Sequence, residues 1–397
     1  MITRKLFLGL VLIALAVGLA GCSSAATVLS GTSWPGITAS DEAIYVAYGA
    51  QVYAVSPESG NRLWAFPSEP ERGRTFYAAP AVAPELVVVT DYVGSVFAID
   101  PATGMQKWAF ESNPAARFIG GAVIGDEYVY AGAVDGTLYA INRDTGTKAW
   151  QFRAPRSGNG QHDIWSTPLL DGNTLYFTSL DGHLYALDAQ NGALLWQFPA
   201  ADEPAIGAMA GTPAIHEGVL YFGSFNDRVY ALDTRTRQVV WTYTTTNWVW
   251  STPVIDPEAN LMIGGDLDGH VFALDLSSGQ PRWTFDAGGP VVGTPAFGKL
   301  ADGQPVVYVT SGDSYLYILN VEDGTQARAA TSIKAEFTTR FLFFPTGTNE
   351  RPIPIFAPPI LYNDSILIGA HQGSYPLYAL DRETLLQRWA FDPAAGS

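Results

Sequence analysis

The side chains of this chain that could do metal or nucleophilic chemistry are few, and their spacing gathers none of them into a site. Five histidines are scattered over 397 residues, without the His-x-x-x-His spacing that places two imidazoles on one metal. His183 and His270 each follow an Asp-Gly hairpin, whereas His162, His216 and His371 fall in predicted loops or turns. No glycine-rich phosphate loop precedes a helix, and no nucleophile elbow presents a serine. We therefore predict no catalytic residue, no cofactor-binding residue, no cofactor and no metal site.

The carboxylates are numerous, but their positions predict turns. Asp135, Asp181 and Asp268 each precede glycine in equivalent predicted hairpins, where Asp supports the turn itself. A second set holds one repeated position, in the turn that ends a predicted strand: Asp100, Asp188, Asp233, Asp275 and Asp381. A hard cation needs several oxygen ligands converging on one point, so acids distributed in this way disfavour a calcium site.

The N-terminus predicts export and lipid attachment. Arg4 and Lys5 precede an apolar run, Leu6 to Ala20, which is shorter than the span of about 20 residues that crosses a bilayer. The following Leu-Ala-Gly-Cys resembles a bacterial lipobox, in which Cys22 would carry the lipid; the alternative is an ordinary signal peptide with an incidental cysteine. Cys22 is the only cysteine, so disulfides are excluded. We expect a lipoprotein signal peptide at 1–21, a lipidated tether at 22–31 and one folded domain at 32–397.

Net charge and the residue after the cysteine refine this expectation. Loss of residues 1–21 removes two cations and no carboxylate, which takes the formal charge from −16 to −18. Such a surface repels nucleic acid and anionic headgroups, so the membrane contact must come from the acyl chains. Ser23 follows the cysteine, and in a cell with two membranes the absence of Asp there favours the outer membrane by resemblance; otherwise we expect the outer face of the plasma membrane.

A sequence repeat runs along the chain, and its folded units must position all these residues. A small residue is followed ten positions later by a large planar or cationic one, and most pairs recur after about 42 to 46 residues, which is typical of a repeat architecture. The pairs are Ala54/Trp64, Ala98/Trp108, Ala140/Trp150, Ala186/Trp196, Ala231/Trp241, Ala273/Trp283, Ile318/Arg328 and Ala379/Trp389.

Each repeat predicts four antiparallel strands. In the fourth unit, strands are expected at 166–170, 175–179, 183–188 and 194–198, with the middle two joined at Asp181-Gly182 by a type I′ turn. The middle strands are apolar on both faces, as expected of a sheet sandwiched between two others. We predict an all-β fold, an eight-bladed β-propeller of four-stranded antiparallel blades. The ring is expected to close without a borrowed strand; the alternative is that residues 23–31 contribute an edge.

The pattern Ala-x-Asp/Asn-x-x-Thr/Ser-Gly-x-x-x-Trp, complete at 98–108 and 140–150, resembles the tryptophan-docking repeat of pyrroloquinoline-quinone-type propellers. The resemblance implies that these tryptophans pack flat between blades and are structural. An acylated chain with eight bare blades further resembles the non-catalytic propeller lipoproteins of outer-membrane β-barrel assembly. That implies a scaffold for another protein, monomeric on its own. The alternatives are a quinone-dependent dehydrogenase and an extracytoplasmic sensor that binds a small ligand in the funnel.

Two regions are candidates for binding. The residue three positions before the first proline of a blade should lie near the mouth of the central channel, where blades two, four, six and eight carry Tyr77, Trp165, Trp250 and Phe356. These rings either fill a tapered interior, as side chains do in closed β folds, or form a hydrophobic collar for a peptide or planar ligand.

The second region is the long connection 329–358, which is too apolar for a disordered loop. Its candidate partner-binding residues are Phe337, Arg340, Phe341, Phe343, Phe344 and Arg351. The connection either folds back as a lid over the channel or offers an exposed aromatic patch. Arginines on an acidic protein would pair with carboxylates of a partner.

Overall fold

The predicted four-strand unit is present eight times. The computed structural model describes residues 35–113, 116–155, 161–341 and 344–395, and within 335–348 only the backbone. These residues belong to one compact unit, Ser33–Ser397. Residues 1–34, with the predicted signal peptide, Cys22 and the predicted tether, lie outside the described residues, as does Phe343. The described chain contains no helix capable of crossing a membrane.

All regular elements in the described part of the chain are strands. Blades one to four comprise β1 (Gly36–Ala39), β2 (Ile44–Tyr48), β3 (Gln51–Val55), β4 (Arg62–Phe66), β5 (Ala81–Ala83), β6 (Leu86–Thr90), β7 (Ser95–Ile99), β8 (Gln106–Glu111), β9 (Ala122–Ile124), β10 (Tyr128–Gly132), β11 (Thr137–Asn142), β12 (Lys148–Arg153), β13 (Leu169–Asp171), β14 (Thr174–Thr178), β15 (Leu184–Asp188) and β16 (Leu194–Phe198). Blades five to eight comprise β17 (Ala214–His216), β18 (Val219–Ser224), β19 (Arg228–Asp233), β20 (Val239–Thr244), β21 (Val254–Asp256), β22 (Leu261–Gly265), β23 (His270–Asp275), β24 (Pro281–Asp286), β25 (Ala296–Lys299), β26 (Pro305–Thr310), β27 (Tyr315–Asn320), β28 (Gln326–Ser332), β31 (Ile360–Tyr362), β32 (Ser365–Gly369), β33 (Leu377–Asp381) and β34 (Gln387–Phe391), while β29 (Lys334–Phe341) and β30 (Phe344–Pro352) form an additional hairpin.

The eight sheets confirm the predicted propeller and its mode of closure. Every blade is a four-stranded antiparallel sheet with its strands in chain order. Blade one is built from β1–β4 and blade eight from β31–β34, so the described ring closes without an exchanged strand. The two ends instead meet through side chains: Trp389 Nε1 donates to the carbonyl oxygen of Pro57 at 3.0 Å, and the rings of Tyr53 and Phe391 lie 5.1 Å apart.

Two local predictions for the fourth unit were wrong. The first strand is β13 alone, because the preceding residues make other bonds: the hydroxyl of Ser166 donates to the Thr178 carbonyl at 3.0 Å. The hairpin after β14 is not a type I′ turn, which needs two residues at positive φ. Only Gly182 is left-handed, at φ +86, and the Ser179 N–H donates to the His183 carbonyl. This is the three-residue loop that ends in a left-handed glycine.

The tryptophans at the outer strands pack against the next blade, as the repeat predicted. Trp108 Nε1 donates to the Arg143 carbonyl at 2.7 Å, and its ring lies over Gly146. A Cβ on Gly146 would lie 2.8 Å from the ring, and the φ of Gly146 is +73. Glycine is therefore favoured at this turn both by the lack of space and by the left-handed backbone. The same indole-to-carbonyl bond joins the next blade at Trp64, Trp150, Trp241, Trp283 and Trp389.

The contact between blades seven and eight departs from this rule. Arg328 replaces the tryptophan, and its guanidinium donates to the backbone carbonyl and the carboxylate of Glu383 in blade eight. The turn residue of blade eight is correspondingly Leu385, at φ +59, where the other blades have glycine except blade five, which has Arg237 at φ +61. One inter-blade contact therefore consists of an exposed ion pair instead of a buried indole.

The connection 329–358 contains regular structure that the sequence analysis did not predict. β29 and β30 pair along their whole length, from Lys334 opposite Pro352 to Phe341 opposite Phe344. The base of this hairpin is anchored, since the Ile353 N–H donates to the Ile333 carbonyl at 3.2 Å and both side chains are buried. Among the predicted partner residues, Phe337, Arg340, Phe341 and Phe344 lie in these strands, and Arg351 is exposed near the end of β30.

Candidate functional site: an aromatic cluster at the channel mouth

Each described connection from an outer strand to the next inner strand is held by hairpins of two blades. Before blade four, the Ile164 N–H donates to the Ala133 carbonyl of blade three at 3.1 Å. The neighbouring Asp163 carbonyl accepts from the Leu180 N–H of blade four at 2.9 Å. Corresponding N–H groups bond the preceding blade at Phe76, Phe118, Met209, Val249, Val291 and Ile355. This pattern fixes the backbone around the mouth.

Side chains at the mouth follow from that backbone. The residue whose N–H reaches the preceding blade is buried in every case, Phe76 and Ile164 for example. Because successive side chains of extended backbone point to opposite sides, the next residue points away from the buried side, as the predicted mouth position requires. Tyr77, Trp165, Trp250 and Phe356 hold this position and are all half-buried. The structure thus places the four predicted residues equivalently.

Two of the four meet directly. The ring centroids of Trp165 and Trp250 lie 5.8 Å apart, with 36° between the ring planes. They belong to connections entering blades four and six, and the connection between them carries only Ala210 at this position. The two indoles are therefore in direct contact, although they belong to non-adjacent blades.

Two further rings extend this pair. Phe225, in the hairpin between β18 and β19, lies 5.7 Å from Trp250 and stacks on Trp248 at 4.6 Å with only 7° between planes. All four rings of this aromatic cluster, Trp165, Phe225, Trp248 and Trp250, are half-buried. Sequence reasoning missed Phe225 and Trp248, although Asn-Trp-Val-Trp at 247–250 places two indoles on the same side of an extended segment.

The other two predicted residues, Tyr77 and Phe356, each contact a hairpin. Tyr77 contacts Tyr92 edge-on, with centroids 5.3 Å apart, and the guanidinium of Arg117 lies 5.0 Å above the Tyr92 ring. Phe356 packs over Gly312, where a Cβ would lie 2.9 Å from the Phe356 ring. Each ring thus rests on the hairpin of a neighbouring strand pair.

A carboxyl group next to the cluster is electrostatically unusual. Burial raises the pKa of Asp163, an effect that the nearby His162 partly opposes. The ionised form of Asp163 is therefore less stable beside the half-buried Trp165 than it would be in water.

The described carboxylates on this face do not fit the calcium site of quinone-dependent propellers. Asp181 accepts from the His183 N–H at 2.9 Å and from the Tyr185 hydroxyl at 2.6 Å, so both its oxygens serve its own hairpin. Asp266 likewise accepts from the His270 N–H and the Thr246 hydroxyl. Within the described ranges, no group of three His, Cys, Asp or Glu side chains is arranged to hold a metal ion.

The predicted turn positions of the acids are confirmed by their bonds. Asp135 accepts from the Thr137 N–H at 3.0 Å, in the manner of Asp181. Asp268 differs, because its side chain accepts from Asn247 Nδ2 instead, while Asp266 bonds the hairpin backbone. At the strand-ending turns, an oxygen of each aspartate accepts backbone N–H groups two and three residues on; these are Asp100, Asp188, Asp233, Asp275 and Asp381.

Eight four-stranded blades, with a tryptophan packed on a glycine turn at six of the contacts between them, define a β-propeller of the pyrroloquinoline-quinone type, which confirms the resemblance of the repeat. The chain belongs to the family described as outer membrane protein assembly factor BamB, whose model matches residues 48–285 and 209–397. Comparison with curated proteins gave no match.

Solved structures share the fold. BamB from Moraxella catarrhalis is 20% identical with a TM-score of 0.65, covering 85% of this chain and 93% of that one. The computationally designed Ika8 protein is 15% identical with a TM-score of 0.68, covering 89% and 98%. A europium-containing methanol dehydrogenase is 16% identical with a TM-score of 0.61, covering 70% and 73%. Propellers of different function therefore have this architecture, and function must be argued from the site.

Proposed function

We propose that this chain is a non-catalytic scaffold, anchored outside the cytoplasmic membrane by lipid on Cys22, that binds another protein at the channel-mouth face. In a cell with an outer membrane, it takes part in outer-membrane protein assembly. The observation that carries the proposal is the aromatic cluster, Trp165, Phe225, Trp248 and Trp250. Half-buried Trp clusters on a rigid frame are typical anchors of protein interfaces, and membership of the BamB family supports the assignment.

Crosslinking in native membranes tests the proposal. The doubly substituted protein, Trp165→Ala with Trp250→Ala, should fold and reach the membrane but capture the partner at least tenfold less well, because about 1.4 kcal/mol of lost binding free energy is tenfold. Tyr315→Ala is the matched control, since that ring is 38% exposed and lies outside the cluster. Unchanged capture by the double variant would refute the mouth as the interface.

The second proposed contact is the hairpin of β29 and β30. Replacing residues 336–350 by Asn-Gly shortens it while retaining the anchored base at Ile333 and Ile353. A loss of partner capture with unchanged stability would support an exposed interaction patch. Increased access of small quenchers to Trp165 and Trp250 would support a lid.

The enzyme alternative is tested directly on the purified protein. Titration with pyrroloquinoline quinone and Ca²⁺ should produce neither saturable binding nor dye reduction with alcohols. Stoichiometric binding followed by substrate-dependent reduction would overturn the non-catalytic assignment and place the chain with the quinone-dependent dehydrogenases.

A further inference from the structure

The outer edges of blades four and five differ from those of the other six blades. Every outer strand is at the edge of its sheet, with a neighbour on one side only. The outer strands of the other blades carry at least one charged residue, such as Lys107 in β8, Arg282 in β24 and Arg388 in β34. β16 and β20 carry no charged residue and no proline.

These two strands also expose apolar side chains. Leu195 is 46% exposed and Val240 is 50% exposed, and Leu194 and Val239 beside them are also exposed. Leu195 and Val240 directly precede the docking tryptophans of their blades, at the position that Lys107 and Arg282 hold elsewhere. Blades four and five are consecutive in the ring, so the uncharged edges lie next to each other.

Soluble proteins protect edge strands with charges, prolines or bulges, because an unpaired row of N–H and C=O groups pairs readily with another strand. All eight outer strands have a bulge beside the tryptophan position, at Leu195 in β16 and Val240 in β20. Six of them also carry a charge, and the two adjacent ones do not. We propose that β16 and β20 are a docking edge, to which an extended segment of another protein adds by strand pairing. Backbone bonds would supply affinity, and Leu195 and Val240 would contact apolar side chains at alternate positions.

Charge indicates what kind of segment fits. Arg235 and Arg237 are exposed immediately before β20. A segment added antiparallel to β20 would end beside them, where an acidic residue is favoured. A second copy is disfavoured, because each chain carries a formal charge of −16. The occupant is therefore an extended, apolar segment of a different protein that ends in an acidic residue.

This inference deepens the proposed scaffold role by naming a second contact and the form of its partner segment. The probe is the synthetic peptide acetyl-Thr-Val-Thr-Val-Thr-Glu-amide, titrated into the full-length protein in detergent. Hydrogen–deuterium exchange should show new protection of amides at 194–198 or 239–244. The same peptide with alternate backbone nitrogens methylated should bind poorly, since it cannot pair as a strand. Equal binding of both peptides would reject strand addition.

Substitutions locate the contact. Leu195→Lys and Val240→Lys copy the natural Lys107 of blade two, so folding should be unaffected, while peptide affinity should fall about tenfold. Ala149→Lys, at the equivalent position of β12, is the matched control and should change nothing. Unaltered affinity in the two lysine variants, or a dimer in sedimentation that Val240→Lys abolishes, would overturn the proposal.

Failure of this inference is distinguishable from failure of the scaffold assignment. Trp165→Ala with Trp250→Ala should leave peptide binding at the edge unchanged, because the cluster lies at the channel mouth and the edge lies at the outer rim. If that variant loses membrane crosslinking while the natural chain does not bind the peptide, the scaffold role is supported and only the docking edge is refuted.

Discussion

Trp165 and Trp250 lie 5.8 Å apart between ring centroids although they enter different, non-adjacent blades. Trp165 follows Ile164, and Trp250 follows Val249. Both preceding side chains are buried, and the N–H of each is bonded to the preceding blade. The contact between the indoles is therefore imposed by two backbones that the ring holds independently. An aromatic pair fixed in this way needs little ordering when a partner binds, which lowers the entropic cost of association.

Tryptophans at the mouth and tryptophans between blades should differ in their contribution to folding. Trp108→Ala removes a buried side chain and its bond to Arg143, and should lower the free energy of unfolding by about 3–5 kcal/mol. Trp165→Ala removes half-buried surface and one ring contact, and should cost about 1–2 kcal/mol. Urea denaturation of both variants measures the difference; equal losses would contradict the assignment of Trp165 to a binding role.

Glycine at the docking turn should be required for steric reasons. Gly146→Ala places a Cβ 2.8 Å from the Trp108 ring in a left-handed residue and should destabilise the protein by about 2–4 kcal/mol. Gly172→Ala is the control: its φ is +56 but nothing lies within 4 Å, so only backbone strain of about 1 kcal/mol is expected. Thermal unfolding of the two variants separates the steric clash with Trp108 from backbone strain. Similar decreases in Tm for both variants would exclude the clash.

Arg328 and Leu385 should be energetically coupled across the contact between blades seven and eight. Arg328→Trp alone should destabilise, because Leu385 offers a side chain where the indole in six other contacts meets glycine. With Leu385→Gly added, the indole can dock, and a double-mutant cycle should give a coupling free energy of about 1–3 kcal/mol. The Arg328 pair with Glu383 should also make the stability of the natural protein salt-dependent. Additive effects in the cycle would contradict the docking argument.

The aspartates of the strand-ending turns should make stability depend on pH in the acid range. The pKa of Asp100 is lowered, chiefly by the Thr103 hydroxyl, and the pKa of Asp275 is lowered, chiefly by Arg282. The pKa values of Asp233 and Asp381 are lowered as well, chiefly by backbone N–H groups. Because the pKa of each group is lower in the folded state, its carboxylate stabilises the fold at pH values above the unfolded pKa of 3.8. This stabilisation is lost as the pH falls through the folded pKa values.

Urea denaturation between pH 7 and pH 2.5 measures this loss. Replacing these aspartates by Asn should preserve the turns and flatten the acid slope, since Asn142 already accepts the equivalent N–H groups in blade three. An unchanged slope in the Asn variants would show that other carboxylates control acid unfolding.

The repeat made the fold predictable because its signals are local. Ala98 and Trp108 pair across adjacent strands in register, and the spacing between them is fixed by one turn and one hairpin strand. Blade number, strand order and the docking role of the tryptophans followed from that spacing. Arg328 and Leu385 were visible as departures from the pattern, but only the contact between blades showed that they face each other.

Local signals are weaker where one residue's conformation depends on its neighbours. Asp-Gly at 181–182 favours a type I′ turn, yet the extra residue in the loop leaves only Gly182 left-handed. In the connection 329–358, the turn-forming residues Pro345, Gly347 and Asn349 lie within β30 and not between the two strands. The pairing of β29 with β30 was therefore not evident from sequence.

The sequence by itself determined the eightfold repeat, the docking positions, the net charge and the candidate mouth residues, because each depends on spacing within one blade. Only the tertiary structure decided that Trp165 meets Trp250 and that Phe225 and Trp248 join them. Those relationships join residues from different blades, and the distance between such residues is set by closure of the ring, which no local pattern encodes.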